Sequence, residues 1–423
     1  MADATSPAAH ALAELARSAA ARPEHPAAAA LRADAGERLA DLELPSRARH
    51  LWRYTDPARF LPTGPVPKAC AGDTPTWRLD DPVTAAAQVA GGQLCMTWLD
   101  DQARDAGVIV ADLHEADSAD LLGSVVGSEH GFVEAINAAA WQGGVLVRVP
   151  PGLRLEHPIR VRVEADPGGA TVLPRVLIVA GQDSAFEVVE GHAGGNGVPS
   201  QVLGVTEIAV GRGAEVNYGL VQRWQPSVAG HLTVRARLDA GARFQMALAS
   251  FGGGLYKADV GALLAGQGAQ AEMFGVAMGG DRQHMDHHTE HVHLVGHTHS
   301  NLDFKVALTH AARSAYTGMI RIAPEAGGSE AYQENRNLLL SEDARAESIP
   351  ELEILTDDVR CSHGATVAPL DEEQLFYLKS RGLPHSQATR LIVYGFLDQT
   401  LQRLPKGTRE RIEALVAARL HGA

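Results

Sequence analysis

Cysteine and aromatic residues are scarce in this chain of 423 residues. The three cysteines, Cys70, Cys95 and Cys361, are too few and too scattered to form a disulfide framework, which favours a reducing compartment. Aromatic residues make up only 5% of the chain, whereas glycine occurs 43 times. Few large side chains and many turn residues indicate thin, repetitive packing rather than one thick hydrophobic core.

Positive charge and long apolar runs are also in short supply. The 37 basic residues are outnumbered by 51 acidic ones, which gives a formal net charge of −14. Such a surface repels nucleic-acid phosphate and anionic lipid, so neither is an expected partner. The N-terminus lacks the pattern of a secretory signal, and no run is long enough to span a bilayer, so we expect a cytoplasmic protein.

Several common catalytic motifs are missing from the sequence. There is no G-x-x-x-x-G-K-[ST] loop for nucleotide phosphates, no G-x-S-x-G nucleophile elbow and no H-E-x-x-H pair of zinc ligands. We therefore expect no ATP hydrolysis by this chain itself, and the sequence assigns it no catalytic residue.

The pattern of residues divides the chain into three zones. Residues 1–143 are mixed and mostly helical, and residues 361–423 carry three further helix patterns with suitable caps. Between them, residues 144–360 consist of short runs that alternate apolar and polar residues and are separated by turns. The sequence thus predicts a mainly β protein with helical domains at both ends.

Regular spacing identifies the middle zone as a repeat. Its turn glycines are 25 or 30 residues apart: Gly181, Gly211, Gly241, Gly266 and Gly296. Strands at this spacing, with no helix between them, are typical of a β-solenoid whose stacked coils share a narrow core. Glycine is expected at the corners because a positive φ is needed there. A β-sandwich, which also uses short strands, is the structural alternative.

Histidines are concentrated in residues 284–299. Seven occur in this segment: His284, His287, His288, His291, His293, His297 and His299. We expect the histidines to face solvent, because Val292 and Leu294 would form the opposite, apolar face of the same strand. The alternative is a metal site, since His284, Asp286 and a later histidine match the two-histidine, one-carboxylate triad of some iron enzymes.

Cys361 and His363 are the candidate metal ligands. They are two residues apart, so both side chains face the same way if the segment is a strand. Arg360 beside them would favour the thiolate. A thiolate and an imidazole make up half of a tetrahedral iron, iron–sulfur or zinc site. The remaining ligands must come from elsewhere, and another chain is one source.

Residues 357–383, DDVRCSHGATVAPLDEEQLFYLKSRGL, resemble the SufB/SufD family of iron–sulfur cluster assembly proteins. Further segments agree in the same order: HLWRYTDP, FVEAINAAAWQGGVLVRVPPG, SNLDFKVAL and NRNLLLSEDARAESIPELEILTDDV. The resemblance covers residues 50–397. The chain is more similar to the SufD branch, because it lacks both the acidic residue of the HEAT-like SufB version and the N-terminal cysteine motif of many SufB chains.

The resemblance implies a right-handed parallel β-helix between helical domains, and a non-catalytic scaffold subunit of a SufBCD complex. The implied partners are a SufB-like paralogue, a SufC-like ABC ATPase and, indirectly, a cysteine desulfurase system. Cys361 and His363 match family positions implicated in nascent cluster formation at the SufB interface. The SufC-like ATPase would dock on the C-terminal helices, in a region that includes Leu375, Phe376, Tyr377, Leu391, Tyr394 and Phe396.

The cofactor implied by the resemblance is a transient iron–sulfur cluster or iron at the interface with SufB. No group is expected to be tightly bound to the isolated chain, and flavin binding is left open. The alternative function is that of a mononuclear metal-dependent enzyme that uses the cluster from His284 to His299. Such an enzyme should hold metal alone, whereas the scaffold should co-purify with SufB and a P-loop ATPase.

Overall fold

Two ten-stranded sheets dominate the computed structural model, which describes residues 7–41, 43–67, 82–114, 116 and 121–421. Sheet A contains, in spatial order, β2 (Gln93–Leu99), β1 (Ala85–Ala90), β5 (Ile159–Ala165), β8 (Ala185–Gly194), β10 (Glu215–Gln222), β12 (Arg243–Ser250), β14 (Gln270–Gly279), β16 (His299–Leu308), β18 (Ser329–Leu339) and β20 (Val359–Pro369). Sheet B contains β19 (Arg345–Ile354), β17 (Arg313–Ile322), β15 (His284–His293), β13 (Leu255–Leu264), β11 (Val228–Leu238), β9 (Ser200–Val210), β7 (Pro174–Ala180), β4 (Gly143–Val149) and β3 (Ile109–Asp112), with the short β6 (Thr171–Val172) beside β9.

Helices lie before, between and after these strands. Their bounds are α1 (Pro7–Ala20), α2 (Pro26–Asp41), α3 (Asp101–Asp105), α4 (Phe132–Ala140), α5 (Glu372–Ser380), α6 (His385–Leu401) and α7 (Lys406–His421), with 3₁₀ turns at His50–Trp52 and Pro57–Phe60. No described helix is both long and apolar enough to cross a membrane.

From β7 onward the chain alternates between the two sheets, so that successive strands wind into coils. In this part of the chain neighbouring strands within each sheet are parallel, as in the pairing of β13 with β15 and of β14 with β16. Only the pairs of β1 with β2 and of β3 with β4, which include the first strands of the chain, are antiparallel among the described strands. A β-sandwich would pair its strands antiparallel. The predicted mainly β fold with a solenoid is therefore confirmed: the solenoid has about eight turns, and helices lie at both ends of the chain. The boundaries predicted at residues 143 and 360 stay predictions.

Small apolar residues fill the space between the sheets. Leu232, Val234 and Ala236 of β11 and Ala258 and Val260 of β13 alternate along their strands and are each at most 2% exposed. Because strand side chains alternate between the two faces, every second residue of a coil points inward. A core only two side chains thick needs few aromatic residues, which agrees with their scarcity in the sequence.

The predicted turn glycines occupy the same corner of successive coils, each just after a strand of sheet B. A Cβ atom on Gly266 would lie 2.0 Å from the backbone nitrogen of Ala240, and one on Gly211 would lie 2.7 Å from the carbonyl oxygen of Ala180. Of the five glycines, only Gly241 has a positive φ, of 67°. The expected reason for glycine is therefore wrong at the other four corners, where the backbone of a neighbouring coil leaves no room for a side chain.

A buried ion pair ties the segment around α4 to the outer face of sheet B. The side chains of Arg175 on β7 and Glu207 on β9 are both 0% exposed and 2.7 Å apart. Arg175 also donates to the side chain of Asn137 on α4 and to the carbonyl of Val126, and Glu207 accepts three backbone N–H groups between residues 123 and 126. Because both charges are hydrogen-bonded on several sides, their desolvation is offset.

The C-terminal helices cover part of the outer face of sheet A. Val393, Leu397 and Leu401 of α6 are fully buried, and they pack with outward residues of the sheet such as Ala249 and Phe274. The apolar residues of α6 extend over more than one face of the helix, and this contact buries many of them.

We predict that Gly266→Ala lowers the free energy of unfolding by about 1–3 kcal/mol, since the added methyl group must displace the backbone of the preceding coil. Gly191→Ala is the matched control, because a Cβ atom there has no neighbour within 4 Å. We expect it to change stability by less than about 0.5 kcal/mol. Urea denaturation of both variants measures the difference, and equal stability would contradict the close-approach explanation.

Candidate functional site at the end of the solenoid

The last coil of the solenoid has two edge strands. β19 pairs with β17 and β20 pairs with β18, and no strand among the described residues pairs with their other edges. Residues of the preceding strands are mostly buried, whereas those of β19 and β20 are half-buried or exposed. Edge strands present unpaired N–H and C=O groups to their surroundings. This end is therefore suited to pairing with a further strand.

Cys361 and His363 lie within β20, the final strand. Cys361 is paired in register with Ala331 of β18 and packs against the inner apolar core. His363 is two residues further along the strand, so it shares the inner side with Cys361. Cys361 is half-buried and His363 is exposed. The structure thus brings the two predicted ligands together on one face at the open end.

The Cys361 thiol is not activated in this chain alone. Partial burial raises its pKa above the ordinary value, and a backbone hydrogen bond with Ala331 offsets only part of this effect. Arg360 projects to the other face of the strand and pairs with Glu330 at 3.3 Å. The expectation that Arg360 favours the thiolate is therefore wrong. The thiol is protonated near neutral pH, and binding of a metal ion would release its proton.

Gln333 is a neighbour of His363 that no motif in the sequence marks as a site residue. It is opposite His363 in the register of β18 and β20 and is 3% exposed. Its amide nitrogen donates to the carbonyl of Gly318 at 3.2 Å, but its amide oxygen has no hydrogen-bond partner among the described residues. Asn335 and Asn337 follow on the same inner face and are also buried. The inner face thus changes from apolar to polar near the open end.

The six residues predicted to contact an ATPase differ in their exposure. Leu375 is only 5% exposed, and Phe396 is half-buried, with the ammonium group of Lys305 5.5 Å from its ring centroid. The other four expose at least a third of their surface: Phe376 73%, Tyr377 56%, Leu391 53% and Tyr394 36%. Large apolar residues exposed on neighbouring helices mark a surface that is available to a partner.

The histidines of residues 284–299 do not form one solvated face, so that expectation is wrong. His287, His291 and His293 are at most 1% exposed and share the inner side of β15 with Met285. Val292, which was expected to be buried, is on the outer side of the strand and is half-buried. Both faces of β15 carry histidines, since His284 and His288 project outward. The alternation of residues along β15 therefore does not show which face of the strand points into the solenoid.

Each inward histidine has different hydrogen-bond partners. His287 contacts the hydroxyl of Ser250 at 2.9 Å, and His293 contacts the hydroxyls of Thr298 and Ser300. Neither ring nitrogen of His291 has a partner among the described residues. Burial lowers the pKa of His287 and of His291 to about 3 and that of His293 to about 4. All three imidazoles are therefore neutral at physiological pH.

These histidines do not assemble into a metal site. Within the part of the chain that the structure describes, no three of them bring ligand atoms within 4.8 Å of one another. His284 contacts Thr55 at 2.9 Å instead, and His297 occupies a corner with φ of 58°. The geometry thus gives no support to a mononuclear metalloenzyme that uses this cluster.

The cysteines were expected to form no disulfide framework, and the structure bears on two of the three. Cys95 is disulfide-bonded, which corrects that expectation for this residue. Cys70 lies outside the described residues. Cys361 is a free thiol, so it is available as a ligand.

These features define the chain as a parallel β-solenoid protein whose last coil has free edges and carries Cys361 and His363. The comparison with known families is more specific. The model for the SufBD core domain of the SUF system for iron–sulfur cluster assembly matches residues 162–396, which is more than half of the chain. The chain therefore belongs to the SufBD family of iron–sulfur cluster assembly proteins.

Similar proteins carry the same family name. The chain is 28% identical to the iron–sulfur cluster assembly protein SufB of Bacillus subtilis over 293 residues, which cover 68% of this chain and 62% of SufB. It is 27% identical to a SufBD family protein of Staphylococcus haemolyticus over 301 residues, or 71% of this chain and 65% of that protein. It is 30% identical to a SufBD family protein of Mycobacterium leprae over 278 residues, or 66% of this chain and 32% of that protein. The chain spans less than two thirds of the length of each relative.

We predict that acid destabilises this protein through its inward histidines. Their pKa values are about 3 to 4 in the folded state and about 6.5 in an unfolded chain. The unfolded state therefore binds more protons as the pH falls below about 6.5, and each histidine removes roughly 1 kcal/mol of stability per pH unit until its folded pKa is reached.

His291→Leu should reduce this acid sensitivity, because it removes one inward histidine whose nitrogens have no partner. At pH 7.5 the similar volume of leucine should keep stability within about 1.5 kcal/mol of the wild type. Urea unfolding at several pH values between 7.5 and 5 measures the slope. His157→Gln, at an exposed position, is the control. An unchanged slope in His291→Leu would rule out this source of acid sensitivity.

Proposed function

We propose that this chain is the SufD-type subunit of a complex with a SufB-like paralogue and a SufC-like ATPase. It acts there as a non-catalytic scaffold that contributes ligands to a nascent iron–sulfur cluster. Membership of the SufBD family supports the role in cluster assembly. The Cys361-Ser362-His363 sequence, without the acidic residue of the SufB version, supports the SufD assignment.

The observation that carries this proposal is the placement of Cys361 and His363 on the inner side of an unpaired edge strand. A second solenoid that pairs with β20 would extend sheet A and bring its own side chains next to these two. The ligands of both chains would then face a common space between the two solenoids. The polar inner face formed by Gln333, Asn335 and Asn337 suits such a space better than an apolar core would.

Coordination chemistry explains why two chains are needed. A thiol and an imidazole supply only two ligands, and an iron or zinc ion in a tetrahedral site takes four. Binding converts the protonated Cys361 thiol into a metal-bound thiolate and releases one proton to solvent. The site is therefore weak in the isolated chain and becomes strong when the SufB-like partner adds ligands. Separation of the chains would weaken it again and release the cluster.

The iron–sulfur cluster is the cargo of this site rather than a resident cofactor. Its sulfur would come from a cysteine desulfurase system acting through the partner. The chain needs no catalytic group of its own for this role, in agreement with the lack of a P-loop. ATP hydrolysis by the SufC-like subunit would supply the movement that opens the interface.

The exposed residues of α5 and α6 are the proposed docking surface for that ATPase. Phe376, Tyr377, Leu391 and Tyr394 offer exposed apolar surface, whereas Leu375 and Phe396 mainly pack within the chain. Because α6 also packs on the outer face of sheet A, movement of a docked subunit would act directly on the solenoid.

His363→Ala is expected to reduce iron–sulfur enzyme maturation in cells under iron limitation by at least about tenfold, because it removes a metal ligand. The complex should still assemble, since His363 is exposed on a strand whose backbone pairing is unchanged. Cys361→Ala should reduce maturation less, because the partner can supply other thiolates. Native mass spectrometry measures the stoichiometry of the complex and its bound iron together.

The control for this experiment is His157→Ala, which removes an exposed histidine outside the last coil. It should leave both maturation and assembly unchanged. Normal maturation in the His363→Ala variant would refute the interfacial-ligand role. Loss of the complex in that variant would show that His363 is structural.

The double variant Phe376→Ser, Leu391→Ser is expected to weaken co-purification of the SufC-like ATPase at least about tenfold. Truncation of a hot-spot residue in an interface costs about 2 kcal/mol or more, and about 1.4 kcal/mol corresponds to a tenfold loss of affinity. Binding of the SufB-like partner should persist, because these residues lie on helices outside the edge strands. Val198→Ser, at an apolar residue that is 42% exposed in a loop, is the control. Undiminished ATPase binding would place the docking surface elsewhere.

A further inference from the structure

A second group of metal-ligating side chains lies on the outer face of sheet B, away from the open end. His130 precedes α4, Glu134 is in its first turn, and Asp259 is on β13. One potential ligand atom from each of these residues lies within 4.8 Å of the others. Asp259 and Glu134 are buried, and the His130 side chain is 24% exposed. The group is thus enclosed by protein but retains access from solvent.

The distances fit a small divalent ion. The His130 Nε2 atom and the Asp259 Oδ2 atom are 3.5 Å apart, which is long for a hydrogen bond between them. Zinc lies about 2.0–2.2 Å from nitrogen and oxygen ligands, so two ligands of a tetrahedral site are separated by roughly 3.3–3.6 Å. The observed separation of 3.5 Å between His130 and Asp259 falls within this range.

The carboxylates are already oriented by neighbouring side chains. The Oδ1 atom of Asp259 accepts a hydrogen bond from Arg235 at 2.7 Å and contacts the ring of His288 at 2.5 Å. Thr233 donates its hydroxyl to the Oε1 atom of Glu134. These contacts hold one oxygen of each carboxylate and leave Oδ2 of Asp259 directed toward His130. Residues that hydrogen-bond to metal ligands without contacting the metal fix the orientation of those ligands.

The charges of the cluster favour a cation. The carboxylate of Asp259 lies beside the guanidinium group of Arg235, with 2.7 Å between the bonded atoms. Glu290 contributes a further carboxylate that is 3.5 Å from Arg235. Asp259 and Glu290 therefore share one guanidinium group, and Glu134 lies close to Asp259. A divalent ion would neutralise the excess negative charge in a region where water screens it poorly.

We propose that His130, Glu134 and Asp259 form a binding site for a divalent transition-metal ion, with water as the fourth ligand. One imidazole and two carboxylates are ligands that Zn²⁺ and similar ions accept. The ion links the turn before α4 to β13 and so attaches the segment around α4 to the solenoid. The site does not depend on the proposed function, because it uses neither Cys361 nor His363. It also lies on β13, three strands before β19 in sheet B, and so about 15 Å from the last coil along the axis.

Cobalt binding to the full-length chain tests this site. After treatment with a chelator, the wild-type protein should bind one equivalent of Co²⁺ with the visible absorption of a four-coordinate site. It should lack the sulfur-to-metal charge-transfer absorption that a site at Cys361 would show. Zn²⁺ should compete for the same equivalent and should raise the melting temperature, since a ligand that binds the native state stabilises it.

The variants His130→Gln and Glu134→Gln should each weaken Co²⁺ binding at least about tenfold and should abolish the Zn²⁺-dependent rise in melting temperature. Glutamine at position 134 retains an oxygen that can accept from Thr233, so folding should be preserved, and circular dichroism checks this. His157→Gln should bind as the wild type does. If the wild-type protein shows no saturable four-coordinate Co²⁺ binding, or if all variants bind equally, the residues form only a hydrogen-bonded cluster and the proposal is wrong.

Discussion

The close stacking of coils is the constraint on which the rest of the structure depends. Parallel strands about 4.8 Å apart leave no space for side chains where one coil turns beneath the next. Gly266 and Gly211 are needed for this reason, because a Cβ atom at either position would overlap a neighbouring backbone. The same stacking makes every second residue of a strand face a narrow interior. Small apolar residues fill most of it, and any polar residue placed there must find a partner inside the solenoid.

Stacking also explains why the proposed ligand site is at the end. Each coil pairs with the coil before and after it, but β19 and β20 have no following coil among the described residues. The unpaired edge, the exposed His363 and the buried amide oxygen of Gln333 without a partner occur together in this region. After β20 the chain continues into α5 and α6, and no strand among the described residues pairs with the free edge of β20.

The repeat was predictable from the sequence, but the orientation of its most polar strand was not. Regular glycine spacing predicted the coils, and alternation predicted which residues share a face. In β15, however, both faces carry histidines, so the choice between inside and outside depended on the register with β13 and β17. Contacts such as Thr233 with Glu134, which are 99 residues apart, leave no local pattern. Cys361 and His363 could be selected because their spacing and the resemblance of the surrounding residues both appear in the sequence.

The two proposed metal sites can act separately because the solenoid is a one-dimensional stack. In such proteins each repeat contacts mainly its neighbours, so a local change affects adjacent coils more than distant ones. Asp259 is anchored by Arg235 and His288 on the strands to either side of β13, whereas Cys361 is anchored only through β18. An ion at Asp259 would therefore stiffen the middle of the stack and the segment around α4 that packs on it. The last coil, with one neighbour instead of two, remains free to rearrange when a partner binds or leaves.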